Sequence, residues 1–78
     1  MHYVYILKCS DKKTYIRCTN DLKVRLRHHH NGYVKSTKAR LPIDLINYIA
    51  FKDKEKAFLF EKYLKSGSGK AFSIKHFL

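Results

Sequence analysis

Tyr3-Val4-Tyr5-Ile6-Leu7 and Thr14-Tyr15-Ile16-Arg17-Cys18 decide the fold of this chain. Both runs are rich in β-branched and aromatic residues, the strand formers. Between them Lys8–Lys13 brings polar and turn residues, Ser10-Asp11 among them. Two short runs around a polar tip predict a β-hairpin. The tip holds neither Asn-Gly nor Asp-Gly, so a longer loop is expected rather than a two-residue turn.

Working outward, Thr19-Asn20-Asp21 forms an N-cap cluster. Leu22 and Leu26 then share one helical face. Asn31-Gly32 supplies the stop, so a helix is expected from Asp21 to His30. Residues Gly32 to Pro42 read as a loop of basic and hydroxyl residues. Asp44–Phe51 is a nearly continuous apolar run. Such a run is expected as a strand buried on both faces or central in the sheet. Asp53 caps a helix over Lys54–Lys65, which Ser66-Gly67-Ser68-Gly69 ends. Lys70–Leu78 reads as a short amphipathic helix with Phe72 and Phe77 turned inward. The order β-β-α-β-α-α has no clean parallel βαβ repeat. It predicts an α+β fold, a small sheet covered by helices.

Length and charge bound the function. A chain of 78 residues is expected to form one domain, residues 1–78. A domain of this size buries only roughly 60% of its unfolded surface, which leaves no room for a large cofactor beside the core. The hydrophobic content of 45% and aromatic content of 14% exclude a disordered basic tail. The longest apolar runs are far short of the roughly 20 residues of a membrane span. The N-terminus lacks the features of a signal peptide. Cys9 and Cys18 are too few for a disulfide scaffold and read as free thiols of a reducing cytoplasm. Lys and Arg number 17 against 6 Asp and Glu, a formal net charge of +11. Self-repulsion of that size calls for a polyanionic partner, nucleic acid first. The plainer alternative is a soluble surface with a basic bias.

Three features stand out as candidates for chemistry. Glu61 sits at the margin of an apolar helical face, beside Ala57, Phe58, Leu64 and Lys65. A carboxylate there calls for a pairing partner or a metal, and Lys65 at i+4 is the pairing alternative. Arg25 and His29 flank the Leu22/Leu26 stripe. An arginine at a core margin suits a phosphate, or else snorkels over apolar surface. His28-His29-His30 fan around the helix, so the three cannot hold one metal ion. Tyr5 and Tyr15 fall on paired strands and are expected to lie close on one face, as packing or as chemistry.

The ordered set Tyr3-Val4-Tyr5, Tyr15-Ile16-Arg17, Asn20-Asp21-Leu22, Arg25-Leu26, His29 and Glu61 resembles the GIY-YIG nuclease domain. The Lys35-Ser36-Thr37-Lys38 loop and Leu64–Lys70 look like its small stand-alone bacterial members. The resemblance implies a three-stranded antiparallel sheet flanked by helices. It also implies metal-dependent hydrolysis of DNA phosphodiesters, duplex or branched, in repair or recombination. Carried over by position, Tyr5 and Tyr15 match the motif tyrosines and Arg25 the helix arginine. His29 matches the Tyr-or-His position, and Glu61 the carboxylate that holds one Mg²⁺ or Mn²⁺. Either tyrosine is open as general base, with Tyr5 preferred and its pKa of about 10 expected to fall beside a metal and an arginine. Arg17 stands where the second motif has glycine. It either blocks the site or clamps a phosphate. Together with Lys23, Arg27, Lys35, Lys38 and Arg40 it is expected to contact nucleic acid. The reading from another class is a non-catalytic nucleic-acid-binding module on the same fold.

Overall fold

Residues 1–77 are described by a computed structural model. Its elements are β1 (His2–Lys8), β2 (Thr14–Thr19), α1 (Leu22–His30), α2 (Lys35–Lys38), β3 (Asp44–Phe51), α3 (Lys54–Lys65) and α4 (Gly67–His76). Four consecutive residues, Val4 to Leu7, have no solvent exposure at all, which marks β1 as the centre of the sheet. The strand order is β2-β1-β3, and both pairings are antiparallel. The fold is α+β, as the element order predicts.

Strand alternation divides the core in two. On one face Tyr5, Leu7, Cys9, Tyr15 and Ile43 pack under Leu22 and Leu26 of α1. On the other, Val4 and Ile6 pack under Ala57 and Leu64 of α3, with Ile16, Cys18, Phe72 and Phe77 alongside. Phe72 and Phe77 thus face inward, while Leu78 lies outside the described residues.

Three expectations are corrected. β3 is an edge strand, with Leu45 and Tyr48 exposed. Once β1 and β2 pair as a hairpin, a third strand has only edge positions left, however apolar it is. The stretch from Gly32 to Pro42 is not all loop: Lys35–Lys38 makes one helical turn, whose Thr37 is fully buried against α1. The Gly-Ser segment ends α3 at Ser66 but also starts α4, because the Ser66 hydroxyl accepts from the Gly69 amide at 3.2 Å. Gly69 is required there, since a Cβ would overlap the Tyr63 carbonyl oxygen where α4 turns back on α3.

The local caps follow the sequence. Asp21 accepts from the Val24 amide and Asp53 from those of Glu55 and Lys56. Gly32, at φ +73°, turns the chain after α1. In the hairpin loop Lys12 has φ 68° and Asp11 accepts from the Lys13 amide, confirming a turn longer than two residues.

Candidate active site

Period two puts Tyr5, Tyr15 and Arg17 on the sheet face that α1 covers. The rings of Tyr5 and Tyr15 lie 6.4 Å apart. His29, on the inner side of α1, meets both edge-on, at 5.6 and 5.3 Å between centroids. The polar atoms form one directed chain. Arg25 Nε donates to the Tyr5 oxygen at 3.4 Å. The Tyr5 hydroxyl in turn donates to His29 Nε2 at 2.9 Å. His29 Nδ1 donates to Thr37 Oγ1 at 2.7 Å, and Thr37 donates to the Val34 carbonyl. The direction follows from Thr37, whose one hydroxyl proton goes to a carbonyl and leaves its oxygen to accept.

Both ring nitrogens of His29 are thus in hydrogen bonds, and with its pKa lowered the ring is neutral at about pH 7, which leaves Nε2 to accept from the Tyr5 hydroxyl. Burial, then the Arg25 charge, lowers its pKa from 6.5 to about 4. Burial also raises the Tyr5 hydroxyl above 10, with Arg25 pulling only partly the other way. The expected fall of the Tyr5 pKa is thus not met by the protein alone: desolvating a phenolate outweighs one adjacent guanidinium.

A consequence for stability follows. The unfolded chain takes up the His29 proton near 6.5, and the folded one only near 4. Between those values the unfolded state binds more protons, so stability is full above the higher value and falls as pH drops toward the lower. The expected loss is on the order of 3 kcal/mol. Urea denaturation of the parent and His29→Gln at about pH 7 and about pH 4.5 checks it. The parent should lose clearly more stability than the variant; equal losses would assign the acid sensitivity to other groups.

Tyr15 and Arg17 stand at the free edge of the sheet. Arg17 Nε donates to the Tyr15 oxygen at 3.2 Å, with its guanidinium 5.5 Å from the ring centroid. Both line an open groove of about 610 Å³, to which Lys65 also contributes. Glu61 approaches the same edge from the opposite sheet face. It is 7% exposed, and its Oε2 accepts from Lys65 Nζ at 2.6 Å. Burial pushes its carboxyl up, but Lys65, the Cys18 thiol and the Arg17 charge together hold it below the usual carboxylate value. Cys18 itself is pushed up to about 11 by burial and by Glu61, and stays a thiol. Cys9 and Cys18 are both free.

Among the described residues no group of three or more His, Cys, Asp or Glu side chains comes together for a metal. The donor set fits one mode, a hard divalent ion on the single carboxylate of Glu61 with water and substrate phosphate as the other ligands. His28 and His30 point to solvent while His29 is buried.

The remaining basic candidates are scattered. Lys23 and Arg27 are exposed on α1, and Lys35 and Lys38 on α2. Lys23 borders a separate groove beside Tyr3 and Tyr48. Arg40 is committed to Asp11, with Nε 2.9 Å and Nη2 3.4 Å from its carboxylate oxygens. Thr37 and Cys18 complete the site without having been singled out. For Thr37 the sequence offers only a hydroxyl in a basic loop; for Cys18, only its place after Arg17.

Comparisons with known proteins follow the same lines. Residues 1–75 match the family model described as the GIY-YIG catalytic domain. The UPF0213 protein CPE1444 of Clostridium perfringens is 42% identical over 66 residues, 83% of this chain and 71% of that protein. The UPF0213 protein SpyM50708 of Streptococcus pyogenes is 44% identical over 64 residues, 81% and 70% of the two chains. The solution NMR structure of the UPF0213 protein BH0048 from Bacillus halodurans superposes with a TM-score of 0.61 at 36% identity, covering 95% of this chain and 82% of that one. No helix among the described residues is long and apolar enough to cross a membrane. Motif spacing, sheet order and sequence identity all agree, and the chain belongs to the GIY-YIG catalytic-domain family.

Proposed function

We propose that this chain is a metal-dependent endonuclease acting on DNA, with Mg²⁺ or Mn²⁺ held by Glu61. The observation that carries the reading is the convergence at one sheet edge. Tyr15 and Arg17 line an open groove there, backed by the Arg25–Tyr5–His29–Thr37 chain, with an ionised carboxylate arriving from α3. Bound at Glu61, the divalent ion supplies charge neutralisation at the phosphoryl oxygens. Arg25, held by Tyr5, clamps a non-bridging oxygen. Burial of Tyr5 moves the preference for proton acceptor to Tyr15, which reaches the groove. The Tyr15 oxygen already accepts from Arg17 Nε, which holds it at the groove. Tyr5 and His29 are then positioning residues that fix Arg25. Arg27, Lys23, Lys35 and Lys38 add exposed charge for the flanking backbone, and Arg40 contributes less because Asp11 already holds it.

A plasmid-nicking assay tests the reading. Supercoiled DNA should become open circles with Mg²⁺ or Mn²⁺ and stay intact with chelator. DNA binding without cleavage under any divalent ion would leave the non-catalytic module. One observation favours that second reading: Arg17 replaces the motif glycine beside Tyr15. Arg17→Gly separates the two. If Arg17 clamps a phosphate, the variant binds and nicks less, by about tenfold for one lost charge-assisted contact. If Arg17 obstructs the site, nicking rises at matched protein and Mg²⁺ concentrations. The fork left free on a guanidinium whose Nε rests on Tyr15 favours the clamp.

A further inference from the structure

We propose that the groove between β2 and α4 receives an unpaired DNA strand continuing from the scissile phosphate. The inference rests on the nuclease reading and specifies the form of its substrate. The groove begins at Tyr15 and Arg17 and runs between the hairpin loop and α4. Its rim carries Lys12 and Lys13 from the hairpin and Lys70 from α4, none of which makes an ion pair among the described residues. No carboxylate lines it. Its apolar surface comes from half-buried Ile16 and from Ile74, 67% exposed at the side, with Leu64 fully buried beneath.

A cationic rim over an apolar surface selects among polyanions. A duplex offers its outer surface as phosphate and sugar, and would leave Ile16 and Ile74 hydrated. An unpaired strand presents phosphates to the rim and sugar and base faces to the apolar surface. A second observation points the same way. The Ser73 side chain lies in the groove wall, 5% exposed, and its hydroxyl has no hydrogen-bond partner among the described residues. Buried hydroxyls are nearly always partnered. This one has no protein partner, and a strand seated in the groove would supply an acceptor from a phosphate oxygen or a base edge once a small shift of the wall uncovers it.

Lys12, Lys13 and Lys70 are exposed, so replacing all three with alanine leaves the fold intact. Fluorescence anisotropy then compares a blunt duplex with the same duplex carrying a single-stranded flap, without divalent metal. The parent should bind the flapped duplex about tenfold more tightly, as expected of a few added phosphate contacts. The triple variant should lose that preference, and its slope of log K against log salt on the flapped duplex should be shallower by about 2, at about 0.7 per single-stranded phosphate. A control with Arg27, Lys35 and Lys38 changed to alanine should weaken both DNAs alike and keep the preference. If the parent binds both DNAs equally, or the groove variant keeps the flap preference, the groove inference falls while the nuclease reading stands. If the parent binds neither DNA, both fall.

Discussion

Glu61→Gln should abolish metal-dependent cleavage, by about 10³-fold or more, while DNA binding stays intact or tightens. The size follows from the several kcal/mol that a metal contributes to charge stabilisation in phosphoryl hydrolysis. Glutamine keeps the shape of the side chain and removes the charge that holds the ion. It also removes a negative charge from beside the bound phosphates. Stability should move by less than about 1 kcal/mol, because the Glu61–Lys65 pair is half-exposed on its lysine side and such pairs contribute little. Burial, moreover, opposes the carboxylate and not the amide. Nicking rates and urea denaturation on the same preparation decide the matter. A variant that nicks at the parent rate would reduce Glu61 to the structural partner of Lys65.

Tyr15→Phe should lower the nicking rate by about 10²-fold or more, the usual cost of deleting an acid–base group. It should leave stability nearly unchanged, since the ring still packs against His29 and the hydroxyl sits at the groove. Tyr5→Phe makes a different kind of loss. It strands the His29 Nε2 acceptor in a fully buried position and frees Arg25 Nε from its anchor. An unpartnered buried group of that sort costs about 1–3 kcal/mol. Tyr5→Phe should therefore be the less stable of the two and should lose activity through misplacement of Arg25. Its defect should appear more strongly in substrate binding. Nicking rates, binding and melting of both variants separate the roles. Wild-type activity in both would return the two tyrosines to packing, and a larger rate loss in Tyr5→Phe without loss of stability would make Tyr5 the proton acceptor.

Most of the secondary structure was legible because its signals are local. The caps at Asp21 and Asp53, the stop at Asn31-Gly32 and the bounds of α3 depend on a few adjacent residues. The shared face of Tyr5 and Tyr15 was legible too, since strand period follows from spacing, whereas the register that sets Tyr5 opposite Arg17 and Tyr15 opposite Leu7 was not. The errors share a different origin. Asp44–Phe51 looked central because apolar content says how buried a strand is and nothing about which neighbours it has. Gly67–Gly69 looked like a terminator because glycine and serine end helices in isolation. Here a serine cap and the close approach of α4 to Tyr63 make the same residues a helix start.

By itself the sequence determined the elements, their faces and the identity of the residues that stand out: Tyr5, Tyr15, Arg25, His29 and Glu61. Only the tertiary structure decided how they act on one another. Tyr5, Tyr15, Arg25 and His29 belong to the α1 face of the sheet, and Glu61 to the α3 face. They are brought near one another because β2 is a free edge: Cys18 on its α3 side donates to the Ala57 carbonyl of α3, and the Arg17 charge on its other side acts on Glu61 across that edge. The neutrality of His29 and the rise of the Tyr5 hydroxyl likewise come from burial under α1 and α2, and the Thr37 partner comes from a turn eight residues away. Periodicity fixes which side of an element a residue occupies. Desolvation, charge coupling and contact across a sheet edge depend on how distant elements pack, and no local spacing carries that information.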